Sequence, residues 1–142
     1  MTQLFLILFS LALTGGAIAQ SKPPAISYPE ARKLYNQFDR TLSQVGLWEK
    51  KALPERRQLL EASLRHRDAV YKAFGDISAC GAAATTHVEF ITNLNAISYW
   101  SQGGLQPKPF DLLSAMRFAE QFGLNRMGCY DAVEALDTVA RK

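Results

Sequence analysis

Histidine and cysteine are scarce in this chain, with two of each in 142 residues. That leaves little material for metal or nucleophile chemistry. His66 and His87 form no His-x-x-x-His pair. His87-Val88-Glu89 has the spacing of the His-x-Glu half of a zinc deaminase site, but the Pro-Cys-x-x-Cys half is missing. A structural zinc would need Cys80, Cys129 and both histidines together. Cys80 and His87 are seven residues apart, about 10 Å along a helix, beyond direct hydrogen-bonding reach for a thiolate and its base. No Gly-x-Ser-x-Gly elbow occurs, and Gly103-Gly104 lacks the Lys-Ser/Thr of a phosphate loop. No cofactor and no metal are implied. A hydrolytic carboxylate pair stays open, with Glu89 facing Asp111, Asp131 or Glu134.

Charge is absent from two stretches. The first twenty residues have no charged side chain, and Leu4 to Leu13 is almost wholly apolar. Thr14-Gly15-Gly16 breaks this run, and Ala17-Ile18-Ala19 offers the small residues that a signal peptidase reads. The apolar core falls well short of the ~20 residues of a membrane span. Residues 1–19 are therefore expected to be a cleaved signal peptide, although no Lys or Arg precedes the apolar run. The alternative is an uncleaved anchor, the one route to membrane association. Residues 20–26, with Pro23 and Pro24, read as an extended leader. Residues 27–142 read as one helical domain, periplasmic or secreted.

The second uncharged stretch runs from Ile77 to Pro107, where Glu89 is the only ionised side chain. Charged segments flank it. Residues 21–74 hold eleven Lys/Arg against six Asp/Glu, net +5, and residues 75–142 hold five against seven, net −2. This asymmetry suits a solvated basic face or an acidic partner. It is too sparse, without interleaved exposed aromatics, for nucleic acid.

Hairpin signals are also lacking, since no Asn-Gly or Asp-Gly stands between alternating apolar runs. Helical spacing takes their place. Ser27 and Glu30 have capping-box spacing ahead of Ala31, Leu34, Tyr35, Phe38, Leu42 and Val45, with Gly46 as a stop. Pro54-Glu55 opens a second helix, with Leu59, Leu60, Leu64, Val70, Tyr71 and Phe74 on its stripe and Gly75 at its end. The uncharged stretch forms a third helix from near Ser78, ended by Gly103-Gly104. A helix this poor in charge is expected to be the hub that the others cover. Pro109 and Asp111 open a fourth, with Leu112, Leu113, Met116, Ala119 and Phe122 inward and Gly123 as its stop. Asn125 caps a fifth, reaching about Val139. The expected fold is all-α, a compact bundle or orthogonal array of four to five helices around a central helix. In an oxidising compartment Cys80 and Cys129 are expected to form a disulfide joining the starts of helices three and five.

Two groups of residues stand out as candidate sites. Arg67 and Tyr71 on helix two, with His87, Asn95 and Ser98 on helix three, interrupt apolar stripes. They read either as a satisfied core network or as a polar pocket for a small anionic ligand. Tyr99, Trp100, Gly103 and Gly104 combine large aromatics with a helix break, which suits a protein-binding surface, unless Trp100 is core on the second side of the hub. The leading functional expectation is an exported non-catalytic helical protein that binds another protein in the cell envelope. An inhibitor, an immunity-type protein or an accessory subunit all fit. The second is an anionic-ligand binder or enzyme built on Arg67 and His87.

Overall fold

A computed structural model describes residues 26–102 and 109–141. The expected signal segment, nearly all of the leader, and Gly103 and Gly104 lie outside the described residues. Four helices are present: α1 (Tyr28–Val45), α2 (Leu53–Phe74), α3 (Ala79–Gln102) and α4 (Pro109–Ala140), with a 3₁₀ turn at Trp48–Lys50. They pack as a compact all-α bundle. The hub expectation holds, because α3 packs against both α2 and α4 while α1 rests on α4 and α2.

The helix starts follow local chemistry. At α1 the backbone N–H and the hydroxyl of Ser27 both donate to the Glu30 carboxylate, at 3.2 and 2.6 Å. The hydroxyl bond is the main reason that this carboxyl sits below the usual range. At α2 the Ala52 N–H donates to Glu55 at 2.8 Å, with Pro54 in the first turn. The turn from α2 to α3 depends on two glycines. Gly75 ends α2 with φ 87°, a conformation that side chains disfavour. Gly81 lies under that turn, where an added Cβ would stand 2.4 Å from the Gly75 carbonyl oxygen and 2.3 Å from that of Asp76. Ser78 caps α3 by accepting the Gly81 N–H at 2.9 Å and donates to the Gly75 carbonyl at 2.7 Å.

The disulfide between Cys80 and Cys129 is present, with the two Cα atoms 4.4 Å apart. Small residues make that approach possible, since Cys80, Gly81, Ala83 and Ala84 present little bulk. Phe38, Val70, Phe122 and Val133 complete the core from the other helices.

Three expectations need correction. The first concerns the break at Gly123, because α4 runs unbroken through Gly123 and Asn125. A lone glycine in a helix costs only about 1 kcal/mol relative to alanine, and packing along α3 overrides it. Asn125 is therefore not a cap. It reaches α3 instead, donating to the Ala82 carbonyl at 3.4 Å and to Thr86 Oγ1 at 3.3 Å. The disulfide accordingly joins the first turn of α3 to the interior of α4.

The second correction is the inward face of α4. Ala115, Phe122, Cys129 and Val133 are buried, whereas Leu112, Leu113 and Met116 are exposed. A continuous helix permits one roll angle. Phe122 and Cys129 set it, and Met116 then lies about 140° around the axis from Cys129 at 100° per residue.

The third is the stripe of α2. Arg56, Ser63, His66 and Val70 are buried, while Leu59, Leu60, Leu64, Tyr71 and Phe74 are half-buried. The seven-residue spacing of 56, 63 and 70 marks a seam against another helix. Ser63 serves there because its hydroxyl is satisfied by the Leu59 carbonyl at 2.9 Å.

Two substitutions test these points by urea unfolding. Gly123→Ala should stabilise the protein by about 0.5–1 kcal/mol, since nothing lies within 4 Å of the new Cβ and α4 does not break there. Gly81→Ala should destabilise it by about 2 kcal/mol, because the carbonyls above it are backbone atoms and cannot step aside. A destabilised Gly123→Ala would restore the break. Thiol labelling of the unfolded, unreduced chain should modify neither cysteine.

Candidate functional site

The bundle distributes the polar candidates of α2 and α3 among three separate environments. His87 is fully enclosed, with 0% of its surface exposed. Its ring packs at 4.9 Å from Phe122, 5.5 Å from Phe38 and 6.3 Å from His66, centroid to centroid. Neither ring nitrogen has a hydrogen-bond partner among the described residues. His66 is 7% exposed and stacks edge-on with Phe38 at 4.6 Å. Its Nε2–H donates to the Leu34 carbonyl at 2.9 Å, which leaves Nδ1 without a partner. Two imidazoles and two phenyl rings thus share the centre of the molecule.

Burial dominates the titration of both histidines. It pushes His87 down to about 4, and the neighbouring His66 adds to that shift. It also lowers His66, against the opposing pull of the Leu34 carbonyl. Both rings are therefore neutral at pH 7, and His87 has no route to a substrate while the bundle is closed.

Arg67 lies at the edge of α2, not inside it. Its guanidinium meets Asp68 at 3.1 Å and covers the Tyr71 ring at 5.6 Å. Tyr71 donates to Thr85 Oγ1 at 2.5 Å, and Thr85 donates onward to the Gly81 carbonyl at 3.0 Å. Asn95 donates to the carbonyls of Ile91 at 3.2 Å and Arg56 at 3.4 Å, tying α3 to α2. Arg67 and Tyr71 thus meet each other, but His87 and Asn95 do not join them in one pocket. His87, being fully enclosed, is closed to the anionic ligand expected there.

Tyr99 and Trp100 stand in the last turns of α3, and their side chains, like Gly103 and Gly104, lie outside the described residues. Of the candidate hydrolytic carboxylates, Glu134 is committed to Arg32 at 2.5 Å and to the Tyr28 hydroxyl at 3.3 Å. These bonds tie α1 to α4, and Arg126–Asp39 repeats the tie further along. Among the described residues no three His, Cys, Asp or Glu side chains are grouped to hold a metal, and the disulfide takes both thiols out of any zinc set. No helix among the described residues is long and apolar enough to cross a membrane.

The surface feature missed by sequence reasoning is the outer face of α4. Leu112, Leu113, Met116, Leu124 and Met127 are exposed, with Met116 at 69%, Met127 at 67% and Leu124 at 58%. Together they span an arc of about 120°. Exposed apolar side chains gathered on one helix face mark interaction sites, and methionine makes such a surface adaptable. The signal was present in the sequence, but a fourth helix ending at Gly123 assigned three of these five residues, Leu112, Leu113 and Met116, to the core.

The central histidines generate an acid-lability prediction. The folded protein binds fewer protons than the unfolded chain between pH 6.5 and about 4. The contribution to stability is complete above pH 6.5 and is lost as pH falls towards 4. For His87 it amounts to on the order of 3 kcal/mol. Urea unfolding of the wild type across this range should show that loss, and His87→Leu should flatten it. An unchanged pH slope in the variant would refute the assignment. Comparison with known proteins finds no matching family model, no matching curated protein and no matching solved structure.

Proposed function

We propose that this is an exported, non-catalytic helical protein that binds another protein in the cell envelope through the outer face of α4. The observation that carries this reading is the row Leu113, Met116, Leu124 and Met127, held outward by a helix whose roll the disulfide fixes. A soluble domain gains nothing from presenting two methionines and two leucines to water along a single helix. A partner that covers them removes that apolar area from solvent. Glu120 and Asp131, also exposed on α4, fall within the same arc and Arg117 beside it, so a partner would meet charge of both signs along with the apolar side chains. The charge-free start of the chain and the disulfide support an oxidising compartment outside the cytoplasm. The partner class that fits is a protein with an apolar patch, and an inhibitor, an immunity-type protein or an accessory subunit would each use such a face.

The test is cross-linked capture from envelope extract of the source organism, with the chain lacking residues 1–19 as bait. The double variant Met116→Glu/Met127→Glu should lower recovery of a stoichiometric partner at least tenfold. Its unfolding should stay within about 0.5 kcal/mol of wild type, because both side chains are exposed. Capture insensitive to the double variant would overturn the reading. So would sedimentation showing that the face is consumed by a second copy of the chain. Trp100→Ala, run in parallel, tests the end of α3 as the competing surface.

A further inference from the structure

A groove of about 520 Å³ lies between α1 and α2. Ile26, Leu34, Ala69 and Ala73 give it an apolar lining, with Gln37 the uncharged polar side chain among them and the buried His66 at the base. Lys33, Arg40 and Lys72 stand along it. None of these three cations has a carboxylate partner among the described residues, whereas Arg32, Arg67, Arg126 and Arg141 each have one. Glu30, the one acid lining the groove, is already engaged by Ser27 at the start of α1. His66 is more than nine-tenths buried, and its Nδ1 has no partner.

We propose that this groove binds a single-chain anionic amphiphile. The alkyl chain lies along the floor and the anionic head sits among the three cations. The volume falls within the range of small-ligand sites, roughly 300–1,000 Å³. The α1 positions along the groove, Glu30 to Arg40, span about 15 Å of helix axis, which gives a chain an extended bed. The alanines keep that bed open on the α2 side, where larger residues would close it. An apolar floor favours a hydrocarbon, and three unneutralised cations above it select a negative head over a neutral or positive one. The site is separate from the α4 face, so it stands or falls independently of the protein-binding role.

The test uses the chain lacking residues 1–19, titrated below micelle-forming concentrations and followed by calorimetry and by amide chemical shifts. The probes are decanoate, lysophosphatidylglycerol, decyltrimethylammonium and acetate. Decanoate or lysophosphatidylglycerol should bind saturably at one per chain and shift the amides of Leu34, His66 and Ala69. Comparing these two separates a free acid from a membrane-derived source. Decyltrimethylammonium and acetate should bind at least tenfold more weakly, the first for its head and the second for its missing tail. The triple variant Lys33→Gln/Arg40→Gln/Lys72→Gln should weaken binding at least tenfold. Ala69→Phe, which fills the bed and leaves every charge in place, should abolish it. Equal binding of the cationic probe, shifts confined to other helices, or Ala69→Phe binding like wild type would overturn the proposal. So would an acidic amphipathic peptide occupying the groove where both anionic probes fail.

Discussion

The close approach of α3 to α4 is the constraint on which the bundle depends. Two helix backbones come this near only when the residues between them are small. Cys80, Gly81, Ala83 and Ala84 meet that need on α3, and Gly128 meets it on α4, where its Cα faces the Ala79 methyl. The disulfide then locks the contact. In the chain-entropy account a loop of 49 residues contributes on the order of 4 kcal/mol by restricting the unfolded chain. The covalent link and the small-residue seam act together, since the bridge could not close over bulkier neighbours.

From this contact the roll of α4 follows, and from the roll comes its surface. Cys129 points at α3, so Phe122, one heptad earlier, also points inward, and Ala115 follows one heptad before that. The same rotation turns Leu113, Met116, Leu124 and Met127 outward. α1 then closes on α4 through Arg32–Glu134 and Arg126–Asp39, with Arg32 over the rings of Tyr35 and Tyr130 at 5.6 and 5.2 Å. These ties are partly exposed, so they orient α1 more than they stabilise it. α1 and α2 are left touching mainly through His66 and its neighbours, which opens the groove beside them.

The centre of the molecule combines apolar packing with an unsatisfied polar group. His87 contributes aromatic surface among Phe38, Phe122 and His66, yet both of its nitrogens lack partners. An unpaired buried imidazole costs stability relative to a hydrocarbon of the same shape. The ring remains neutral there because ionisation would add a far larger penalty. Helix-local bonds satisfy the buried hydroxyls of Ser63 and Thr86 and the half-buried Asn95, whose side chains bond carbonyls three or four residues back.

Read alone, the sequence determined the starts of the four helices, though it added a fifth at Asn125, and with them the helical class, the hub and the disulfide. Caps, prolines and the 3.6-residue period act over a few residues, and two cysteines admit one intramolecular pairing. Ser27, Glu30, Glu55 and Ser78 are instances where a local bond decides the outcome. Only the tertiary structure decided which way each helix faces. Gly123 reads locally as a stop, but packing along the whole of α4 outweighs about 1 kcal/mol of propensity. Arg67 falls within the apolar stripe by its spacing, but α2 rolls so that Ser63 and His66 take the seam and Arg67 reaches Asp68 at the edge. Roll angle is a property of pairs of helices, set by the size of the side chains that meet between them. A pattern confined to one helix does not contain it, and both candidate sites, the α4 face and the α1/α2 groove, are products of that angle.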